Sequence, residues 1–161
     1  RQFHKSLGSD WELRDRTADG CRMPHVPTDV QGDVITLTIG GNDLLWNRES
    51  YLAGGLEPFA EEHLQLLQSI RSANPQSLLI VGDVYHPDSE LTDAELTALC
   101  AANQLIQANV QKVGASLAPI YDTFRGNEQR YLCMQIEPTL AGAAAIAGLF
   151  HGIFERSVTG T

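Results

Sequence analysis

Residues 40–43 read Gly-Gly-Asn-Asp and stand directly behind V-I-T-L-T-I, an apolar run rich in β-branched residues. That pattern is a buried strand breaking into a turn that carries a carboxamide and a carboxylate. In a parallel α/β sheet, ligands lie beyond the carboxyl ends of the strands, so Asn42 brings an amide to the place where a site forms. The alternative is an amide that closes its own turn. Asp43 has the position of a carboxylate that satisfies unpaired N–H groups at the following helix N-terminus. His86, in Tyr-His-Pro behind a second buried strand, is predicted to face the same crevice, although a lone histidine there is also an ordinary loop residue. Glu137, just before Pro138, is either a favourable charge at a helix start or a carboxylate that contacts a ligand. His4, His63 and His151 share no metal-ligand spacing, so neither a metal nor a cofactor is expected.

The elements that must hold these residues alternate between strand-like and helix-like periods, with no repeat and no low-complexity linker. Residues 2–8 read as the end of a helix closed by Gly8, and residues 11–18 as a short strand followed by the turn Asp19-Gly20. Residues 23–32 contain Pro24 and Pro27 and read as loop or broken helix. The strong strand follows at 34–39. Over 58–72, Phe59, Leu66, Leu67 and Ile70 fall on one helical face. Residues 77–84 are a second buried strand. Thr92 and Glu95 have capping-box spacing and open the longest helix, with Leu96, Leu99, Ile106, Val110, Val113 and Leu117 on one stripe. A short fourth strand is predicted at 118–121 and a final helix at 140–156, burying Ala143, Ile146, Ala147, Phe150 and Ile153. Right-handed crossovers then give an α/β fold, a parallel sheet with helices on both faces.

At 161 residues, 43% apolar and 19% charged, the chain reads as one globular domain spanning 1–161. No window approaches the apolar length needed to cross a bilayer, so a soluble protein is expected, with a cytoplasmic or secreted location left open. The net charge of −9, with 11 scattered Lys and Arg, offers no basic stripe and argues against nucleic acid or an anionic membrane as partner. Cys21, Cys100 and Cys133 are far apart and odd in number, which favours free thiols partly packed in the core over a single disulfide. Trp11 and Trp46 are expected in the core or in a pocket wall. Arg1 is not an initiator Met and reads as a processed, truncated or incompletely represented start.

Three segments together resemble the SGNH hydrolases, also called GDSL esterases and lipases. Asp19-Gly20 is similar to the family's second block, whose glycine N–H lines the oxyanion hole; plain turn geometry is the other use of Gly20. Gly40-Gly41-Asn42-Asp43 is similar to the third block, whose asparagine supplies a further donor. I-E-P-T-L-A-G-A-A-A-I-A at 136–147 is similar to the last block, D-x-x-H-P-[TS]-x-x-G, which opens the final helix. The resemblance runs from about Trp11 to Phe154. It implies a three-layer α/β/α domain with a flavodoxin-like sheet of order 2-1-3-4-5, and hydrolysis of carboxylic esters through an acyl-serine. A small-molecule ester or acyl ligand is the implied partner, and Cys21 and His25, close behind Gly20, would line its pocket.

The sequence departs from the family pattern at each catalytic position. The strand ending in G-D-S-L, with its serine nucleophile, is absent, and neither Ser6-Leu7 nor Ser9-Asp10 follows a buried strand. The catalytic Asp aligns with Met134 and the catalytic His with Glu137. A serine hydroxyl is a poor nucleophile until a base removes its proton, a task that suits imidazole. Glu137 could serve as a base only with its pKa raised by burial, and water would be its natural partner. What survives is Gly20 and Asn42, donors aimed at a developing oxyanion. Without the first strand, a gap between 11–18 and 34–39 would expose two unpaired edges, so an N-terminal segment or a partner chain is expected to complete the sheet. The alternatives to an ester hydrolase are a catalytically inactive binding or assembly domain, and altered chemistry that uses Glu137.

Overall fold

The computed structural model describes residues 1–160. Helix α1 (Gln2–Leu7) leads into a long loop with one 3-10 turn at Met23–His25, then β1 (Val34–Thr38), α2 (Gly41–Trp46), α3 (Arg48–Gly54) and α4 (Glu57–Ala73). The second half runs β2 (Leu78–Gly82), α5 (Asp93–Lys112), β3 (Ser116–Ala118), α6 (Ile120–Phe124) and α7 (Glu128–Tyr131). It closes with β4 (Leu132–Cys133), β5 (Glu137–Pro138) and α8 (Leu140–Thr159).

Strands β1, β2 and β3 form a parallel sheet in that order, with Val34 opposite Leu78, Thr38 opposite Gly82, and Gly82 opposite Ala118. Side chains on a strand alternate between faces, and both faces of the central strand β2 are covered by helices, whereas Thr36 and Thr38 of β1 are exposed. Leu79 and Val81 pack in one core with Leu67 and Ile70 of α4 and Ile106 and Val110 of α5. Ile80 and Ala118 pack in a second core with Phe124, Leu132, and Phe150 and Ile153 of α8. The central strand is therefore apolar at consecutive positions, which is why it reads as an unbroken hydrophobic run. The result is the three-layer α/β/α, flavodoxin-like arrangement expected from the sequence.

Local chemistry sets the helix boundaries. In α4, Phe59, Leu66, Leu67 and Ile70 are buried, each fully buried side chain of this kind contributing about 1.5–3 kcal/mol. The capping box forms at α5: the Glu95 N–H donates to Thr92 Oγ1 at 3.3 Å while Glu95 Oε2 accepts from the Thr92 N–H at 2.8 Å. Such a cap stabilises a helix by about 1 kcal/mol. Thr139 caps α8 by accepting the Gly142 N–H at 3.1 Å.

Several local expectations are corrected. Residues 11–18 form no strand; Glu12, Arg14, Asp15 and Arg16 leave that stretch without an apolar face to bury, and Leu13 is exposed. Trp11 packs edge-on against Phe154 instead, at 5.4 Å between ring centres. Among the described residues, β1 is thus left with one outer edge that pairs with no strand, rather than two such edges flanking a gap. The long helix stops at Lys112, because Gly114 takes a left-handed φ of 62° and Leu117 belongs to β3. The predicted strand at 118–121 begins earlier, at Ser116, and gives way to α6. Cys100 and Cys133 are exposed thiols outside the core, Cys21 is half-buried, and all three are unpaired. Trp46 is 74% exposed, with the Arg22 guanidinium 5.5 Å from its ring centre, and takes no part in the core. No helix among the described residues is long and apolar enough to cross a membrane.

Candidate active site

A cavity of about 370 Å³ opens at the carboxyl ends of β1 and β2, within the volume range of small-molecule sites. Its walls include Gly20, Cys21, Asn42, Asp83, Tyr85 and Glu137. Four of these, Gly20, Cys21, Asn42 and Glu137, were singled out from the sequence, and the tertiary structure brings them together. Asp43 and His86 are not among the lining residues.

One wall is built where β1 ends. Gly40 adopts φ 108°, and a Cβ placed there would lie 3.1 Å from Cζ of Phe59. Only glycine permits both the backbone turn and that close approach. Helix α2 begins immediately afterwards and its first turn grips the preceding loop. The Asn42 Nδ2 group donates to the Cys21 carbonyl at 3.0 Å, which leaves the carboxamide a second N–H. Asp43, only 1% exposed, accepts the Met23 N–H at 3.1 and 3.3 Å. Burial raises its carboxyl above the ordinary carboxylate range against the pull of that hydrogen bond. Asp43 thus anchors the loop from beneath the cavity wall through the Met23 N–H, in the 3-10 turn, and its own N–H in the first turn of α2 also favours the carboxylate. Gly20 occupies the third position of a turn closed by the Cys21 N–H on the Ala18 carbonyl at 3.2 Å, with φ 67°. That positive φ suits glycine at this turn position.

The facing wall is the β4–β5 hairpin. Met134 and Gln135 at its tip both have positive φ, 49° and 71°, a conformation that costs non-glycine residues about 1–2 kcal/mol each. Two hydrogen bonds hold the tip: Tyr85 Oη donates to the Ile136 carbonyl at 2.6 Å, and the Asp88 N–H donates to the Gln135 carbonyl at 2.7 Å. Glu137 lines the cavity but is exposed, so the burial that would turn it into a base is missing. Burial, with a further push from the Glu137 charge, raises the Tyr85 phenol to about 12. Met134 is 85% exposed at the tip. His86 donates through Nδ1 to the Pro87 carbonyl at 2.6 Å, beside the crevice it was expected to face. His25 ends the 3-10 turn and likewise lies outside the lining.

Asp83, like Tyr85, is a cavity-lining residue that reasoning from the sequence passed over. It follows β2 as Asn42 follows β1, and its Oδ1 accepts the Tyr121 N–H at 2.8 Å. Burial raises its carboxyl, opposed by N–H groups at the start of α6. Its signal was present, since an acidic residue directly behind S-L-L-I-V-G is at a strand's carboxyl end. Neither serine nor histidine lines the cavity among the described residues. Nor do the described residues hold a cluster of three His, Cys, Asp or Glu side chains suited to a metal ion.

No family model matches the sequence, and none of the curated proteins does either. Solved structures do. A member of the lipolytic G-D-S-L family from Veillonella parvula aligns with a TM-score of 0.65 at 18% identity, over 86% of this chain and 77% of that one. A carbohydrate esterase family 3 structure from Talaromyces cellulolyticus aligns with a TM-score of 0.62 at 18% identity, over 88% and 70%. A lipase from a goat-rumen metagenome gives a TM-score of 0.65 at 20% identity, over 78% of this chain and 65% of its own length. Identities this low bear on architecture, and the chain accordingly has the fold of the GDSL-type lipases and esterases.

Proposed function

We propose that the cavity receives a carboxylic ester or acyl group and holds its carbonyl oxygen with the Gly20 N–H and the Asn42 carboxamide. This would be the electrostatic half of a GDSL-type hydrolase site. The observation that carries the reading is that Gly20 and Asn42 wall one cavity and are tied to each other through the Cys21 carbonyl. Donors fixed before reaction stabilise a developing oxyanion without reorganisation, and removing one such donor typically lowers turnover about 10²–10³-fold.

Residues 1–161 should hydrolyse short p-nitrophenyl esters at or near background, since no serine–histidine pair faces the cavity among the described residues. Ester binding is the direct test. Titration with methyl butyrate should show saturable binding that weakens at least tenfold in Asn42→Ala. Equal affinity in the variant would sink the reading. Robust turnover abolished by Asn42→Ala would mean that a nucleophile reaches the cavity from outside this sequence.

A second reading, a binding or assembly domain without catalysis, is favoured by the exposed Met134 and Glu137 at the positions where the family carries Asp and His. A fluorophosphonate probe tests this second reading, because it marks only an activated serine: labelling would overturn it, and ligand binding that is insensitive to Asn42→Ala, without labelling, would favour it.

A further inference from the structure

We infer that Asp83 makes the cavity selective for esters that carry an ammonium group, with the rings of Tyr85 and Tyr51 completing the cation subsite. The inference rests on the reading of the cavity as an ester site and names the class of ester it takes. It begins from a carboxylate that lacks a partner of opposite charge. Asp83 follows β2 directly, lines the cavity and is half-buried. Its Oδ1 accepts the Tyr121 N–H at 2.8 Å, and the Ile120 N–H also favours the charged form. A carboxylate has about four acceptor sites, so these N–H groups fix its orientation without using it up. Among the described residues, no Lys, Arg or His forms an ion pair with it.

Charge around the cavity is one-sided. Arg48 is the one cationic side chain in the lining among the described residues, and it is already committed, with Nε 2.5 Å from Oε1 of Glu95. Asp19 and Glu137, both exposed, add two further negative charges to the lining. Walls of low dielectric focus such a field, which draws a cation in and strengthens its attraction to a half-buried carboxylate. Burial raises the Asp83 carboxyl and the neighbouring Asp122 charge pushes the same way; a bound cation offsets both. The aromatic part is held in place. Tyr85 Oη donates to the Ile136 carbonyl at 2.6 Å, and its ring packs on Phe124 with centres 5.0 Å apart. Tyr51 lines the same cavity from α3, its ring edge-on to Phe59 at 6.0 Å. Aromatic rings attract ammonium groups through their π faces, and quaternary ammonium ligands are bound in this way.

The test compares acetylcholine with 3,3-dimethylbutyl acetate, an ester of the same shape with carbon in place of the ammonium nitrogen. Binding is measured by calorimetry or ligand-observed NMR at pH 8 and low salt, and needs no turnover. Acetylcholine should bind more tightly by about tenfold or more. Asp83→Asn keeps an Oδ1 acceptor for the Tyr121 N–H; it should bring acetylcholine to within twofold of the neutral ester and leave the latter unchanged. Tetramethylammonium alone should bind the wild type saturably and at least fivefold more weakly in Asp83→Asn, and unchanged circular dichroism excludes a folding defect. Equal affinity of the two esters in the wild type, or a preference that survives Asp83→Asn, overturns the cation subsite. If acetylcholine and tetramethylammonium depend on Asp83 while Asn42→Ala changes neither ester, the subsite stands and the oxyanion reading fails. If both esters weaken in Asn42→Ala but bind equally to the wild type, the oxyanion reading stands and the subsite fails. Absence of binding by all three ligands overturns both.

Discussion

The two walls of the cavity are built on opposite principles. On the Gly20–Asn42 side, the polar groups rest on a buried core: Phe59 is fully buried beneath Gly40, Asp43 is buried against Met23, and Asn42 is tied to Cys21. On the hairpin side, Met134 and Glu137 are exposed, the tip residues have left-handed backbone, and two hydrogen bonds carry the attachment. The difference teaches that polar groups which also hold a loop are fixed by the fold itself, whereas side chains at an exposed hairpin are fixed by few other contacts.

The largest expected effect breaks the comparison from below. His63 is fully buried and stacked on Phe59, with ring centres 6.2 Å apart, and its Nδ1 faces the Asn109 amide at 3.4 Å. Its Nε2 has no hydrogen-bond partner among the described residues. Burial alone pushes its pKa down from 6.5 to about 4. The unfolded chain therefore binds the proton first, so stability is intact above pH 6.5, declines as pH falls, and levels off below about 4. The total loss should be about 3 kcal/mol. Urea midpoints across pH 4–7 measure it, and His63→Leu should flatten that part of the profile; an unchanged slope would show that His63 does not set it.

A smaller effect tests the Gly20–Asn42 wall itself. Asp43→Ala leaves the buried Met23 N–H unpaired and should cost about 2 kcal/mol in denaturant titration. Ester binding should weaken with it, because the loop carrying Gly20 and Cys21 loses its anchor. Loss of stability with binding unchanged would mean that the donors are positioned without Asp43.

Least of all is expected on the hairpin. Glu137→Gln should shift stability by less than about 0.5 kcal/mol and leave methyl butyrate binding within twofold. A large loss of binding or of any reaction would reverse the comparison and favour chemistry that uses Glu137.

Much of the architecture was legible because it depends on short-range pattern. Leu78–Val81 is a consecutive apolar run covered on two faces, 34–39 is apolar except for the exposed Thr36 and Thr38, the stripe in α4 has helical period, and Thr92 with Glu95 is a cap readable from spacing alone. The predicted strand at 11–18 failed because a few apolar residues among Glu12, Arg14, Asp15 and Arg16 suggested alternation without enough surface to bury. The β4–β5 hairpin was invisible, since its tip uses Met134 and Gln135 where turn chemistry would call for Gly or Asn.

For the site, the sequence by itself determined which polar residues stand at strand ends and turns, because backbone geometry there is local: Gly20, Asn42, Asp43 and, had the same rule been applied, Asp83. Only the tertiary structure decided their partners. That Asn42 bonds to Cys21, that Asp43 reaches Met23, and that Arg48 pairs with Glu95 depend on how segments 20 to 47 residues apart meet. Hydrogen bonds and ion pairs act over a few ångströms and are set by the packing of whole layers, for which sequence spacing carries no record.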